Sequence, residues 1–155
     1  MIRARVITCS DAAARGERAD VSGPAVRELL ASRGYEVELV VVADDVDAIA
    51  SAITATDARL VVTTGGTGIA PRDVTPEATM KVCERIVPGF GELMRARSLE
   101  KTPLASLSRA QAATRGTTLV LNLPGSPKGA VENLEAVLHL LPHALELLEG
   151  KTEHR

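Results

Sequence analysis

Three glycines fall within four residues in the run Thr63-Thr64-Gly65-Gly66-Thr67-Gly68. Without side chains, backbone N–H groups can turn toward an anion and approach it closely. The threonine hydroxyls add donors. No Lys-Ser/Thr pair follows, so the run is not a P-loop. It also fails the dinucleotide fingerprint, because Gly66-x-Gly68 runs into Pro71 and the loop follows the third predicted strand rather than the first. A glycine turn required only for folding is the competing reading.

Asp44 and Asp73 are the natural metal ligands, since Mg²⁺ favours one or two carboxylates with phosphate oxygens and water. The plainer role for Asp44 and Asp45 is helix capping, and for Asp73 the fixing of its own loop. Asn122-Leu123-Pro124-Gly125-Ser126-Pro127-Lys128 is a second candidate loop, with a Pro-Gly turn and a helix start that offers N–H groups to an anion. Ser10 and Asp11 end the first strand. His139 and His143 have metal-pair spacing, but Pro142 interrupts the helix, so they read as solvent-facing. Arg95 and Arg97 read as a solvated helix face, and Cys9 and Cys83 as small buried residues without zinc-site spacing.

These loops need a scaffold that brings them to one rim. Apolar runs predict strands over 2–9, 35–43, 59–64 and 117–123. The continuous Val40-Val41-Val42 suggests a strand buried on both faces. Between them lie helical patterns: one capped by Ser22 and closed by Gly34, one opened by Asp44 with Val46, Ile49 and Ile53 on one face, and one started by Thr75-Pro76-Glu77. Residues 11–21 read as a polar loop and 88–116 as mostly helical with breaks. A final helix from Ser126-Pro127 carries the stripe Val131, Leu134, Leu138, Leu141, Leu145 and Leu148, kinked or split at Pro142. Alternating strands and helices require crossovers, hence a three-layer α/β/α fold with a mainly parallel sheet. Ligands of such folds bind beyond the carboxyl ends of the strands. Ser10, Asp11, Asp44, Thr64, Asp73 and Asn122 would meet there.

At 155 residues, 45% hydrophobic and 25% charged, the chain suits one domain over 1–150, with 151–155 a frayed tail. One Phe, one Tyr and no Trp leave the core to Val, Leu, Ile and Ala. A net charge of −2 offers no basic surplus for a nucleic-acid backbone, and two aromatics offer no stacking platform. No apolar run is long enough to span a bilayer or form a signal peptide, so membrane association is not expected and the protein is placed in the cytoplasm.

Together the loops resemble one family. Thr63-Thr64-Gly65-Gly66-Thr67-Gly68-Ile69-Ala70-Pro71-Arg72-Asp73-Val74-Thr75-Pro76-Glu77-Ala78-Thr79 closely resembles the signature of the MogA/MoaB family, which includes the G domains of gephyrin and its plant counterpart. Pro88-Gly89-Phe90-Gly91-Glu92, Thr102-Pro103-Leu104, Leu107-Ser108-Arg109 and Leu121 to Ser126 match in order and spacing, as do Ser10-Asp11 and Asp20-x-Ser22-Gly23. The resemblance spans about residues 4–150. It implies a molybdopterin-binding-like fold, usually a homotrimer, and adenylylation of molybdopterin by ATP with Mg²⁺, giving adenylyl-molybdopterin and pyrophosphate. Hand-over of the product to a molybdenum-insertion protein would follow.

By position, Asp44 and Asp73 resemble the two essential acidic, metal-holding residues, with Asp45 the alternative to Asp44. Ser10, Asp11, Thr64, Gly65, Gly66, Thr67, Gly68, Ser108, Asn122, Pro124, Gly125 and Ser126 resemble substrate- or nucleotide-contacting positions. The chemistry suits such residues. A phosphate is already ionised near neutral pH, so the site needs no strong base. It must hold two polyanions in line and screen their repulsion. The alternatives are a MoaB-type molybdopterin-binding member without robust adenylyltransferase activity, and a non-catalytic scaffold.

Overall fold

The computed structural model describes residues 1–152. Six strands form one sheet in the order β2-β1-β3-β6-β5-β4. β1 (Arg3–Cys9) pairs in parallel with β2 (Glu36–Val42) and with β3 (Leu60–Thr64), and β3 pairs in parallel with β6 (Thr118–Leu123). β5 (Ala112–Arg115) and β4 (Arg85–Val87) extend the sheet antiparallel. The chain steps from β1 to one neighbour, then back across β1 to β3. That reversal puts a topological switch point between the carboxyl ends of β1 and β3, where open α/β sheets hold their ligands.

Two apolar layers sandwich the sheet. On one face α2 (Ser22–Ser32), α5 (Pro88–Leu99), α6 (Pro127–Val137) and α7 (Leu141–Leu148) bury Val26, Leu30, Met94, Leu134 and Leu141 against Val6, Val62 and Leu121. On the other, α3 (Val46–Thr54) and α4 (Thr75–Val82) bury Ile49, Ile53 and Ala78 against Ile7, Val61 and Val120. The alternation along β1 and β6 is the period-2 geometry of strands that feed both faces. Phe90 is buried in the first layer. Among the described residues no helix is long and apolar enough to cross a membrane.

Several local expectations are corrected. Val40-Val41-Val42 belongs to an edge strand, and Val41 is exposed. The region 88–116 is not mostly helical to its end: after α5 and a 3-10 turn at Pro103–Leu107, residues 112–115 form β5, joined to β6 through Gly116 at φ +55°. The polar loop expected from Asp11 contains a short helix, α1 (Asp11–Ala14). Ser22 is the first residue of α2 and not its cap; the Asp20 carboxylate accepts the Gly23 N–H instead (3.0 Å). The split of the last helix at Pro142 is as expected: Pro142 falls in the first turn of α7, after a 3-10 turn at Leu138–Leu140.

Arg95 is half-buried, donating to the carbonyls of Ser108 (3.3 Å) and Ala110 (2.6 Å), whereas Arg97 is exposed as expected. His139 and His143 are exposed. Cys9 is buried; Cys83, at the carboxyl end of α4, is only half so. In the expected tail, Lys151 pairs with Glu149 (2.9 Å), and 153–155 lie outside the described residues.

Leu134 is fully buried between α6 and the sheet. Leu134→Ala should lower unfolding free energy by about 2–5 kcal/mol through lost transfer energy and cavity formation. A urea titration should show a lower midpoint with an unchanged slope.

Candidate functional site

The loops after β1, β2, β3 and β6 meet at the switch point and enclose a cleft of about 640 Å³. Its walls include Ser10, Asp44, Thr64, Gly65, Gly66, Asp73, Gly125 and Ser126. Four separate chain segments thus deliver these predicted residues to one place. A larger depression, about 710 Å³, opens at the amino-terminal edge of the strands around Arg3, Arg5 and Glu38. Its charges are spent on one another, Arg3 with Asp57 (2.6 Å) and Arg5 with Glu38 (2.8 Å). It lies at the end of the sheet opposite the one where α/β folds bind their ligands.

The turn after β3 is built by conformation. Gly65 and Gly66 have φ of +102° and +69°, a region that L side chains rarely adopt. A Cβ at Gly65 would strike the Cys9 carbonyl, and one at Gly66 would strike the Thr75 hydroxyl and come within 3.2 Å of Asp44 Oδ1. The turn is then fastened from both ends. Thr75 donates its hydroxyl to the Gly65 carbonyl (2.9 Å) and its N–H to the Gly66 carbonyl (3.1 Å). Thr64 donates its hydroxyl to the Pro124 carbonyl (2.7 Å), bringing the loop after β6 against the glycine turn.

The acidic groups divide their labour. Asp45 caps α3, its carboxylate accepting the Ala48 N–H (2.9 Å), which corrects the expectation that Asp44 opens that helix. Asp44 is thereby left for the cleft. Asp11 and Asp44 exchange hydrogen bonds: the Asp11 N–H donates to Asp44 Oδ2 (3.0 Å), and the Asp44 N–H donates to Asp11 Oδ1 (3.0 Å). Arg72 grips Asp11 with two guanidinium nitrogens, at 3.0 and 2.9 Å, and holds its carboxyl below the usual range. Asp44 Oδ1 is buried with no hydrogen-bond partner. Burial pushes the Asp44 carboxyl up, and the charges of Asp11 and Asp73 push the same way, against its hydrogen bond from Asp11. Asp73 uses Oδ2 to accept the Ala70 N–H (3.0 Å).

An orphaned, buried carboxylate oxygen among other acids is costly unless something positive binds it. Asp44 and Asp73 together fit a divalent cation of the Mg²⁺ kind, which takes one or two carboxylates and completes its shell with phosphate oxygens and water. Among the described residues no group of three or more His, Cys, Asp or Glu is placed to hold a metal, so a tight all-protein cage is not on offer. Cys9 also lines the cleft, but burial pushes its thiol up to about 12, so it is not a nucleophile.

Other predicted residues sit behind or beside the cleft. Asn122 is fully buried, donating through Nδ2 to the hydroxyls of Thr63 and Thr79 (both 3.0 Å). It ties β3 and β6 to α4 and does not line the cleft. Asp11, Thr67 and Gly68 also support its wall without lining it. Ser108 and Pro124 line a second chamber of about 370 Å³, with Arg95, Leu104, Lys128 and Asn133; Ser126 lines both chambers.

Two residues escaped the assignment from sequence. Asp20 accepts from the Thr8 hydroxyl (2.8 Å) and lines the cleft. Arg109 donates its N–H to the Thr67 carbonyl, and its guanidinium to the carbonyls of Gly68 and Asp73, each at 2.8 Å, while pairing with Glu77. It locks the second chamber's loop to the one carrying Asp73. The segment Leu107-Ser108-Arg109 was visible, but a guanidinium aimed at distant carbonyls leaves no mark in local spacing.

Known proteins share this chain's sequence and fold over nearly its whole length. A family model described as "Probable molybdopterin binding domain" matches residues 5–143. The molybdopterin adenylyltransferase of Helicobacter pylori (strain J99) is 45% identical over 152 residues, covering 94% of this chain and 86% of that protein. The molybdopterin biosynthesis enzyme MoaB of Thermus thermophilus superposes with a TM-score of 0.88 at 52% identity, covering 97% of this chain and 98% of that one. The molybdopterin biosynthesis Mog protein of Mycobacterium ulcerans gives a TM-score of 0.91 at 37% identity, covering 96% and 99%. By a family match over most of its length and by its likeness to these relatives, the chain belongs to the molybdopterin-binding domain family of molybdenum cofactor biosynthesis.

Proposed function

We propose that this protein is a molybdopterin adenylyltransferase: it joins ATP and molybdopterin to give adenylyl-molybdopterin and pyrophosphate, with Mg²⁺. The observation that carries the reading is the partnerless Asp44 Oδ1, buried in a cleft that it shares with Asp73 and the glycine turn. A terminal phosphate oxygen of molybdopterin forms the new bond to the α-phosphorus of ATP as the bond from that phosphorus to the bridging oxygen of pyrophosphate breaks. No proton need move, which suits a cleft that among the described residues is lined by no histidine and by a thiol that burial pushes up to about 12.

The chain's own work is positional. Asp44 and Asp73 would hold the cation, which supplies charge neutralisation to the crowded phosphates. The Gly65 N–H donates to the Leu123 carbonyl (3.0 Å), so the amides after it in the turn would be the ones to meet the same anions. The second chamber, with Leu104 and Ala105 beside Ser108, supports a place for one substrate's ring system, and Ser126 stands at the junction. The cytoplasm is the proposed compartment, and a molybdenum-insertion protein the proposed recipient of the product.

The 52% identity to the Thermus MoaB supports a second reading, a molybdopterin-binding or scaffold protein without robust turnover. A pyrophosphate-release assay with ATP, Mg²⁺ and molybdopterin decides between them. Release supports the transferase; binding of both substrates without release supports the second reading.

In that assay Asp73→Asn should lose about a hundredfold or more of the rate, as loss of one electrostatic stabiliser does. Its circular dichroism should match wild type; wild-type rates would remove Asp73 from the site. Asp44→Asn should lose Mg²⁺-dependent turnover while being at least as stable as wild type at neutral pH. The folded carboxyl of Asp44 lies above its unfolded value, so its charge costs stability at neutral pH. The advantage of the variant should shrink as pH falls through that raised value and vanish below the ordinary carboxylate range. Melting temperatures across pH check the sign.

A homotrimer is also proposed. Exposed Leu104 and Leu107, and exposed Ile69 on the neighbouring glycine loop, support an apolar contact there. Light scattering should give three chain masses, and a monomer would refute it.

A further inference from the structure

The cleft has three acidic residues on its walls, Asp20, Asp44 and Asp73, and its substrates are polyanions. Among the described residues only one cationic side chain lines it, Arg18. Nearby cations are occupied. Arg72 is clamped on Asp11, and Arg15 pairs with Glu17 (3.0 Å). Among the described residues, exposed Arg18 has no hydrogen-bond or ion-pair partner.

Its placement is asymmetric. Asp44 and Asp73 lead into α3 and α4, on one face of the sheet. Arg18 sits between α1 and α2, in the loop that leads into the opposite layer. A polyphosphate lying across the sheet edge would have the metal-holding acids on one flank and a free guanidinium on the other. Guanidinium is suited to that place, because its planar fork binds phosphate oxygens two at a time.

We propose that Arg18 contacts the β- and γ-phosphates of ATP, the part that leaves as pyrophosphate, and so acts as a substrate-specificity residue of this chain. The inference rests on the adenylyltransferase reading and deepens it. As pyrophosphate departs, negative charge builds on the oxygen side of the breaking bond, and Arg18 is the side chain of the cleft able to meet it without borrowing from the metal.

The test is calorimetric binding of Mg²⁺-pyrophosphate, Mg²⁺-ATP and AMP to the full chain. Variants are Arg18→Ala, Arg18→Lys, and Arg33→Ala as an equal charge change on an exposed residue at the end of α2. Arg18→Ala should weaken pyrophosphate and ATP about ten- to a hundredfold, the range for a charge-assisted contact. AMP should be unaffected, Arg18→Lys intermediate, and Arg33→Ala like wild type. In turnover, the KM for ATP should rise while that for molybdopterin holds.

Arg18→Ala binding pyrophosphate within twofold of Arg33→Ala overturns the proposal, and equal losses for AMP and ATP overturn its assignment to the outer phosphates. Both outcomes leave the transferase reading standing if wild type binds and turns over. A wild type that binds neither ATP nor pyrophosphate sinks the transferase reading, and this proposal with it.

Discussion

The backbone turn at Gly65 and Gly66 is the constraint on which the rest of the site depends. Two successive residues with positive φ end β3 and send the chain back under itself. The Cys9 carbonyl, the Thr75 hydroxyl and Asp44 Oδ1 then stand where any side chain would have been. Gly125 also comes close, a Cβ there lying 3.3 Å from the Gly65 Cα. The loops after β1, β2 and β6 are therefore packed on a shared knot of bare backbone. Close approach leaves bare backbone, rather than long flexible side chains, against the cleft at Gly65 and Gly66.

Around this knot the negative charges are managed in pairs. The Asp11–Asp44 exchange satisfies two backbone amides and fixes two loops with the same four atoms, but it also sets two carboxylates side by side. Arg72 takes up one of them. The bridge is exposed, so it adds little to global stability; its effect is to decide which carboxylate is neutralised by the protein. Asp44 is the one left over. Its raised carboxyl and partnerless oxygen are the same fact seen twice, an unmet demand for positive charge held in place by packing.

Sequence alone reached much of this. The four parallel strands were legible because Val, Ile and Leu run continuously there, and their carboxyl ends named the loops. What was lost has physical causes. β5 is Ala-Ala-Thr-Arg, with little branched and no aromatic side chain, and β4, Arg-Ile-Val, is too short to show a strand period. Val41 looked interior, but burial of a valine run depends on a neighbouring strand, and β2 has one on only one side. Ser22 looked like a cap, yet Asp20 took that role from two residues upstream. Asn122 looked like a ligand contact because its loop carries the match. The strand pleat turns it toward Thr79 instead.

The division between Asp44 and Asp45 shows most clearly why adjacent acids cannot be sorted from spacing. Both precede a helix, and either could cap it. The chain bends at Asp44, where the Asp45 N–H donates to the Ala43 carbonyl (2.8 Å), so the Asp45 carboxylate turns back onto the Ala48 N–H while that of Asp44 meets the Asp11 N–H. Capping at Asp45 is worth about 1 kcal/mol, and it satisfies a helix end that would otherwise compete for Asp44. A local, ordinary interaction thereby frees the neighbouring charge to remain unsatisfied. The helix cap and the orphaned carboxylate oxygen are thus two outcomes of one bend, and the acid that stabilises the fold is not the acid whose oxygen is left unsatisfied.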